Sequence, residues 1–507
     1  MSAAFLSRTS TDGILTVRAS VGGPPTASLL IDTDPARDTP ADAGLTLLAM
    51  KVLLLATGLD GCEDSGASED RAALTVTGST AELASGLQLI IDAATALGDV
   101  DDRTVDRARE ALLAEKGELL VAGSHDVLSA RFGLAGSGTS AVAPWRLHTW
   151  SSHDVRRWAH THLHADAVAV LLLDTDLPLV GLAPLRGTPP AAGESAHPAP
   201  QPSAPGLGPG PHLLTTSGPA HRWSEAQIVW TALHQASASP AVGRVTRAVL
   251  AAAITDSGRR RHGLEITAVP FGARAGAADL AQVHISAETT ALPAAADAVA
   301  TAVRDVCSTV WDERILARAV AASGSVFALR TERLSDIATT VLEMLRGRPD
   351  PVPSDEELDA VTEDEVRTEL SAMAGSTIVG IRVEDDPSAE AADALLAAGY
   401  RRLEPFPART PPGSPGTTLR GSRLRRSYGT SVTIVGEVLA FDSDGDRRDL
   451  DLSDAVLVRR WSHGVWSIAT RAGGVLDIDA RLIRGLDRAL RRRVEALGLE
   501  VDHTPAP

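Results

Sequence analysis

SHDVRRWAHTHLHADAVAVLLL, residues 152–173, reads as a helix that runs straight into a continuous apolar strand. The same arrangement returns once downstream, in EDEVRTELSAMAGSTIVGIRV, residues 363–383. Val155 stands opposite Val366 and Val168 opposite Val379, both at an interval of 211 residues. Working outward, the alternating strand 74–77 and the helix 80–97 match strand 283–286 and helix 290–306 at an interval of 209. DRTVDRA at 102–108 matches ERILARA at 313–319, again at 211. Four matches in one order at near-constant spacing point to an internal duplication. The strands alternate or run apolar and the helices carry one apolar face, so sheets with helices stacked on them are expected. The fold class is α+β, with two duplicated α/β sandwich halves.

A Pro/Gly-rich stretch separates the two copies. Residues 184–219 include PLRGTPPAAGESAHPAPQPSAPGLGPGP, which cannot bury enough apolar surface to fold and reads as a linker. The expected boundaries are a first half at 1–183, the linker at 184–219 and a second half at 220–385. A second linker follows at 386–415, Pro-rich from 405 onward, and then a β-rich module at 416–500. In that module 431–441, 455–461, 465–470 and 473–478 read as short strands, with a hairpin turn at 462–464. An arginine-rich amphipathic helix, 481–497, closes it, an order that resembles pleckstrin-homology-like barrels.

The composition narrows the function. A net charge of −17 over 507 residues lacks the basic face a nucleic acid requires. Cys62 and Cys307 cannot build a disulfide framework, which suits a reducing compartment. The N-terminus has no basic segment followed by an apolar one, and no apolar run of about 18 residues occurs, so neither export nor membrane insertion is expected. A cytoplasmic protein is the expectation. Only Lys51 and Lys116 are lysines, and with the alanine excess this suits a GC-rich bacterial genome.

Strands at 15–18 and 28–32 precede the helix GLTLLAMKVLL, residues 44–54. This opening, with WSSHDVRRW at 150–158, resembles the M16 (pitrilysin, insulinase and mitochondrial processing peptidase) family over residues 1–385. The resemblance implies a His-x-x-Glu-His helix in which two histidines one turn apart bind zinc and the glutamate activates water. Laid on that motif, the first His falls at Leu47, the Glu at Met50 and the second His at Lys51. A lysine there repels a divalent cation by roughly 8 kcal/mol at 4 Å and a surface-like dielectric, so no zinc or other cofactor is expected. The family's third ligand, a glutamate, falls at Glu115, 64 residues beyond Lys51 and some ten fewer than the resemblance implies. The family's second half carries an arginine and a tyrosine that hold the substrate backbone. Here Arg259 fills the arginine position and Ile266 replaces the tyrosine.

Other constellations carry less. His160, His162 and His164 align with the turn 373–377 of the second copy and read as surface turn histidines. The run 133–140 contains Gly136-Ser137-Gly138 without a Gly-x-Ser-x-Gly motif, and reads as a loop, a lid or a substrate contact. No Gly-x-x-x-x-Gly-Lys phosphate loop occurs. Arg420, Arg423, Arg425, Arg426 and Arg491, Arg492, Arg493 make the terminal module locally basic. They suit either an acidic or membrane partner or a solvated face with acidic partners inside the chain.

The resulting expectation is a non-catalytic subunit that pairs with a zinc-bearing M16 peptidase as a heterodimer and helps bind or enclose a peptide substrate. The alternatives are a stand-alone interaction protein that reuses the shell, and an active peptidase with ligands rearranged among residues 153–164 and Glu115.

Overall fold

The structure, a computed structural model, describes residues 7–11, 13–33, 39–59, 66–67, 72–116, 123–142, 146–178, 208–216, 228–234, 239–275, 278–308, 313–323, 330–347, 353–382, 386–404, 406, 410–411, 415–421, 431–443 and 446–504. The first half runs β1 (Ser7–Thr11), β2 (Ile14–Ala19), β3 (Thr26–Ile31), α1 (Leu45–Thr57), β4 (Gly66–Ala67), β5 (Ala72–Thr77), α2 (Thr80–Ala96), α3 (Asp102–Lys116), α4 (Gly123–Phe132), α5 (Ser152–His162) and β6 (Val168–Leu173). The second runs β7 (His212–Thr216), β8 (Ile228–Leu233), α6 (Pro240–Ser257), β9 (Thr267–Ala275), β10 (Ala278–Ser286), α7 (Leu292–Cys307), α8 (Glu313–Ser323), α9 (Arg330–Leu345), α10 (Asp355–Asp359), α11 (Glu363–Ala374), β11 (Ile378–Arg382), α12 (Asp386–Ala397) and β12 (Arg401–Arg402).

The duplication is visible in the sheets. The first has the order β1-β2-β6-β3-β5-β4 and the second β12-β7-β11-β8-β10-β9. In both, one inner pair is parallel (β2 with β6, β7 with β11) and the next two pairs are antiparallel. The helix before the inner strand starts the same way each time. Ser151 and Asp154 form a reciprocal capping box on α5, and Thr362 and Glu365 form its counterpart on α11.

Each sheet buries one face against helices of its own half and the other against a helix of its neighbour. Ile337, Ala338, Val341 and Leu342 of α9 cover Val17, Leu30 and Leu171 of the first sheet. Val127, Leu128 and Phe132 of α4 cover Leu214, Leu280 and Ile378 of the second. Arg346 pairs with Asp32 at 2.6 Å, and Arg131 of α4 donates to Thr231 O, Thr231 Oγ1 and Ser376 O. Burial pushes the Arg131 guanidinium down to about 9, so it is still a cation at neutral pH. Its partners are neutral oxygens, and its place in the last turn of α4 adds the negative end of the helix dipole.

Two expected boundaries are corrected. The first linker ends earlier, because β7 lies inside 184–219 and buries Leu213 and Leu214 between its neighbours. Residues 179–207 lie outside the described residues. The segment 386–415 opens with ordered chain: α12 buries Ala391, Ala392 and Leu395 in the second-half core, and β12 extends the sheet alongside β7.

The terminal module places β13 (Thr417–Arg420), β14 (Ser431–Val435), β15 (Val438–Ser443) and β16 (Asp446–Asp451) in one four-stranded sheet. A second sheet holds β17 (Ala455–Trp461), β18 (Val465–Thr470), β19 (Val475–Asp479) and β20 (Val501–Thr504). Helix α13 (Leu486–Ala496) inserts Leu486, Leu490 and Val494 into their common core. The single strand expected at 431–441 is a hairpin turning at Gly436, whose φ of 59° suits glycine. Helix α13 starts later than expected, and β20, which pairs parallel with β17, was not foreseen.

Candidate functional site

Helix α1 starts at Gly44, which caps it in the left-handed conformation at φ 80°. Two tryptophans hold its first turn: Trp150 Nε1 donates to Ala43 O at 3.1 Å and Trp158 Nε1 to Thr46 Oγ1 at 3.1 Å. The segment that carries the family resemblance therefore also positions the helix that should carry the ligands. Leu47 and Lys51 lie half-buried one turn apart on one face, and Met50 is sealed at 2% exposure in the first-half core. Helix α3 packs beside α1 and contains the Glu115 position, whose side chain lies outside the described residues. This donor set does not fit a divalent cation: a thioether, an isobutyl group and an ammonium stand where the resemblance expects imidazoles and a carboxylate. Among the described residues no group of three or more His, Cys, Asp or Glu gathers as metal ligands, the 153–164 stretch included.

The second candidate lies past the end of α6. Gly258–His262 forms a single π turn closed by Gly263, and Ile266 folds back beneath it. A Cβ at Gly258 would sit 2.4 Å from Ile266 Cδ1, so a larger residue here would have to displace the Ile266 side chain. Ile266 is 3% exposed and belongs to the second-half core, so the expected tyrosine position faces inward. The neighbours of Arg259 are engaged: Arg260 with Asp256 at 3.3 Å, Arg261 with Asp305 at 3.7 Å and His262 with Asp297 at 3.0 Å. Arg259 is exposed and has no ion pair among the described residues. Strand β9, which starts one residue after Ile266, is an edge of its sheet and exposes Val269 and Phe271.

The glycine run is neither lid nor open loop. Leu134, Ser137, Thr139 and Val142 are buried, and the run is the seat of the terminal module. Leu134 N donates to Arg471 O at 3.2 Å, while Ala43, Leu134 and Val142 pack on Leu457 and Ala469. The module thus abuts the residue that leads into α1.

The histidine run is also corrected. His160 and His162 occupy the last turn of α5, His162 Nδ1 lies 3.1 Å from Asp32 O, and His164 is buried rather than on the surface. One histidine that sequence reading passed over is better placed. His234 and Glu369 are 2.9 Å apart with side chains only 5% and 3% exposed, and Arg247 donates to His234 Nε2 at 2.8 Å. Because arginine only donates, Nε2 must accept and Nδ1 carries the proton toward Glu369, leaving a neutral imidazole. Burial holds the His234 pKa below its ordinary value and Arg247 adds to that, against the pull of Glu369. A depressed folded pKa gives stability that is present above about pH 6.5 and is lost as acid protonates the ring, with a slope of at most about 1.4 kcal/mol per pH unit. Urea midpoints should therefore fall between pH 7.5 and pH 5, and His234→Gln should flatten part of the decline. A midpoint that rises on acidification would contradict the buried neutral ring.

No family profile and no curated protein matches the sequence. Solved structures do match the shape. A chain of complex III2 from Candida albicans superposes at TM-score 0.54 with 14% identity, covering 76% of this chain and 99% of that one. The peptidase M16 inactive domain from Pseudomonas fluorescens does so at 0.54 with 13% identity, covering 75% and 98%. The fold is that of the M16 peptidases. The periplasmic protease PqqL of Escherichia coli, itself of this shape, matches at TM-score 0.56 with 11% identity over 88% of this chain and 55% of that one. The M16-like body thus pairs two halves with exchanged helices, and at these identities the likeness concerns the fold alone.

Proposed function

We propose that this chain is the non-catalytic member of a cytoplasmic two-chain M16-type peptidase, pairing with a zinc-bearing subunit and helping to hold its peptide substrate. The observation that carries this reading is α1, which is seated by Trp150 and Trp158 but offers only Leu47, Met50 and Lys51 to a metal. Support for the peptide role comes from Arg259, exposed and without an ion pair among the described residues while Arg260 and Arg261 are committed. The adjoining β9 edge adds exposed apolar side chains, the usual requirement for docking an extended peptide.

The test is co-expression with a homologue that contains His-x-x-Glu-His. The expected result is a stable complex that hydrolyses peptides, while this chain alone does not. Arg259→Ala should raise KM of the pair roughly tenfold, the worth of one charge-assisted hydrogen bond, with kcat nearly unchanged. A chain that stays monomeric beside such a homologue, or that retains stoichiometric zinc after dialysis, would overturn the reading.

A further inference from the structure

The chain is acidic at −17, yet residues 481–493 contain six arginines and one carboxylate, Asp487. The structure divides those arginines. Arg481 pairs with Asp479 at 2.7 Å and Arg491 with Asp487 at 3.0 Å, and Asp487 also accepts from Arg460 at 3.0 Å. Arg484, Arg488 and Arg492 are exposed and have no ion pair among the described residues. Arg488 and Arg492 stand one turn apart on the solvent face of α13, about 6 Å along its axis. A bridge between Gly421 and Ile483 brings the neighbouring Arg420, also exposed, beside Arg484. Leu482, 37% exposed, adds an apolar spot in the same turn. Arg423, Arg425 and Arg426 lie outside the described residues.

Asp479 and Asp487 are engaged by Arg481, Arg491 and Arg460, and among the described residues no carboxylate pairs with these exposed arginines, so their charge is not neutralised from within. We propose that Arg420, Arg484, Arg488 and Arg492 form a docking surface for an acidic polypeptide segment of a partner. Carboxylates on alternate residues of an extended segment recur about every 6.6 Å, close to the repeat of Arg488 and Arg492. An anionic bilayer is the poorer occupant, since it would bring a plane of negative charge against a body of the same sign. A polypeptide segment meets the basic patch alone, within a Debye length of about 8 Å. This surface is separate from Arg259 and stands whether or not the two-chain peptidase does.

The experiment uses the full chain and a fluorescent peptide alternating glutamate and serine, followed by anisotropy. Saturable binding at low salt that weakens as salt is added is expected. The triple variant Arg484→Gln, Arg488→Gln, Arg492→Gln should bind about tenfold more weakly, a shift that lessens as salt is added. Its melting temperature should be retained, because all three side chains are exposed. The double variant Arg103→Gln, Arg107→Gln, on the exposed face of α3, should bind like wild type. Equal binding by wild type and triple variant, or no binding by either, overturns the proposal. So does capture by phosphatidylglycerol vesicles without capture of the peptide, and so does self-association that the triple variant abolishes.

Discussion

Gly473→Ala is expected to lift the terminal module off the body while leaving both halves folded. Gly473 has φ 91°, and a Cβ there would lie 1.9 Å from Ser129 O, a backbone atom of α4. The contact is matched from the other side, where a Cβ on Gly133, at φ 68°, would lie 2.4 Å from Arg471 O. Neither oxygen belongs to a side chain that can swing away, so the two backbones must separate. Left-handed strain of 1–2 kcal/mol and overpacking of 1–3 kcal/mol together give a loss of about 3 kcal/mol. That loss falls directly on the seat of the module, where Ala43, Leu134 and Val142 pack on Leu457 and Ala469 and Arg146 pairs with Asp502 at 3.2 Å. Gly436→Ala is the matched control: its φ is also positive, at 59°, but nothing lies within 4 Å of the added methyl, so only about 1 kcal/mol of strain is expected. The measurement is limited proteolysis of the segment before β13, with thermal melts alongside. Gly473→Ala should open that segment and split the melt into two transitions, and Gly436→Ala should do neither. A Gly473→Ala protein as resistant as wild type would mean the module sits elsewhere.

This seat shows which parts of the fold a sequence can disclose. The helix-to-strand step at 152–173 and its echo at 363–383 were legible because burying one helix face beside a continuous strand imposes a local pattern. The matching order of five strands in each sheet and the paired capping boxes of α5 and α11 follow from that repeat, while the edge strands β1 and β12 do not correspond. Contacts between distant segments leave no period. Nothing in the α4 sequence says that Leu128 and Phe132 cover the other half's sheet, and the tiny residues of 133–140 look the same whether they line a mobile loop or let two backbones touch. The β7 strand was hidden because its five residues follow a Pro/Gly tract, and only pairing with β11 and β12 makes them a strand. Of the candidate site, the residue types at Leu47, Met50 and Lys51 could be read directly. The inward turn of Ile266 and the commitment of Arg260 and Arg261 required coordinates.

Met50→Glu, which places a carboxylate where the M16 resemblance expects one, should cost about 3–5 kcal/mol, the range for an unpaired charge buried in a core. Met50 is 2% exposed and belongs to the same hydrophobic cluster as Leu48, Leu53 and Leu83. Burial would raise the folded pKa of the introduced acid above about 4.3, so the folded state would bind the extra proton first. The penalty should therefore be largest near neutral pH and shrink as pH falls toward the unfolded value, opposite in sign to the His234 contribution. Urea melts at pH 7.5 and pH 5 read both the size and the sign. Leu47→His with Lys51→His, at half-buried positions, should cost far less, on the order of 1 kcal/mol. The asymmetry matters because half-buried positions accept new polar side chains, whereas a glutamate that must reach water does not fit at a position sealed in the core. A triple variant carrying all three substitutions that folds with wild-type stability and takes up zinc would show that α1 still borders an open site, and the non-catalytic assignment would lose its physical basis.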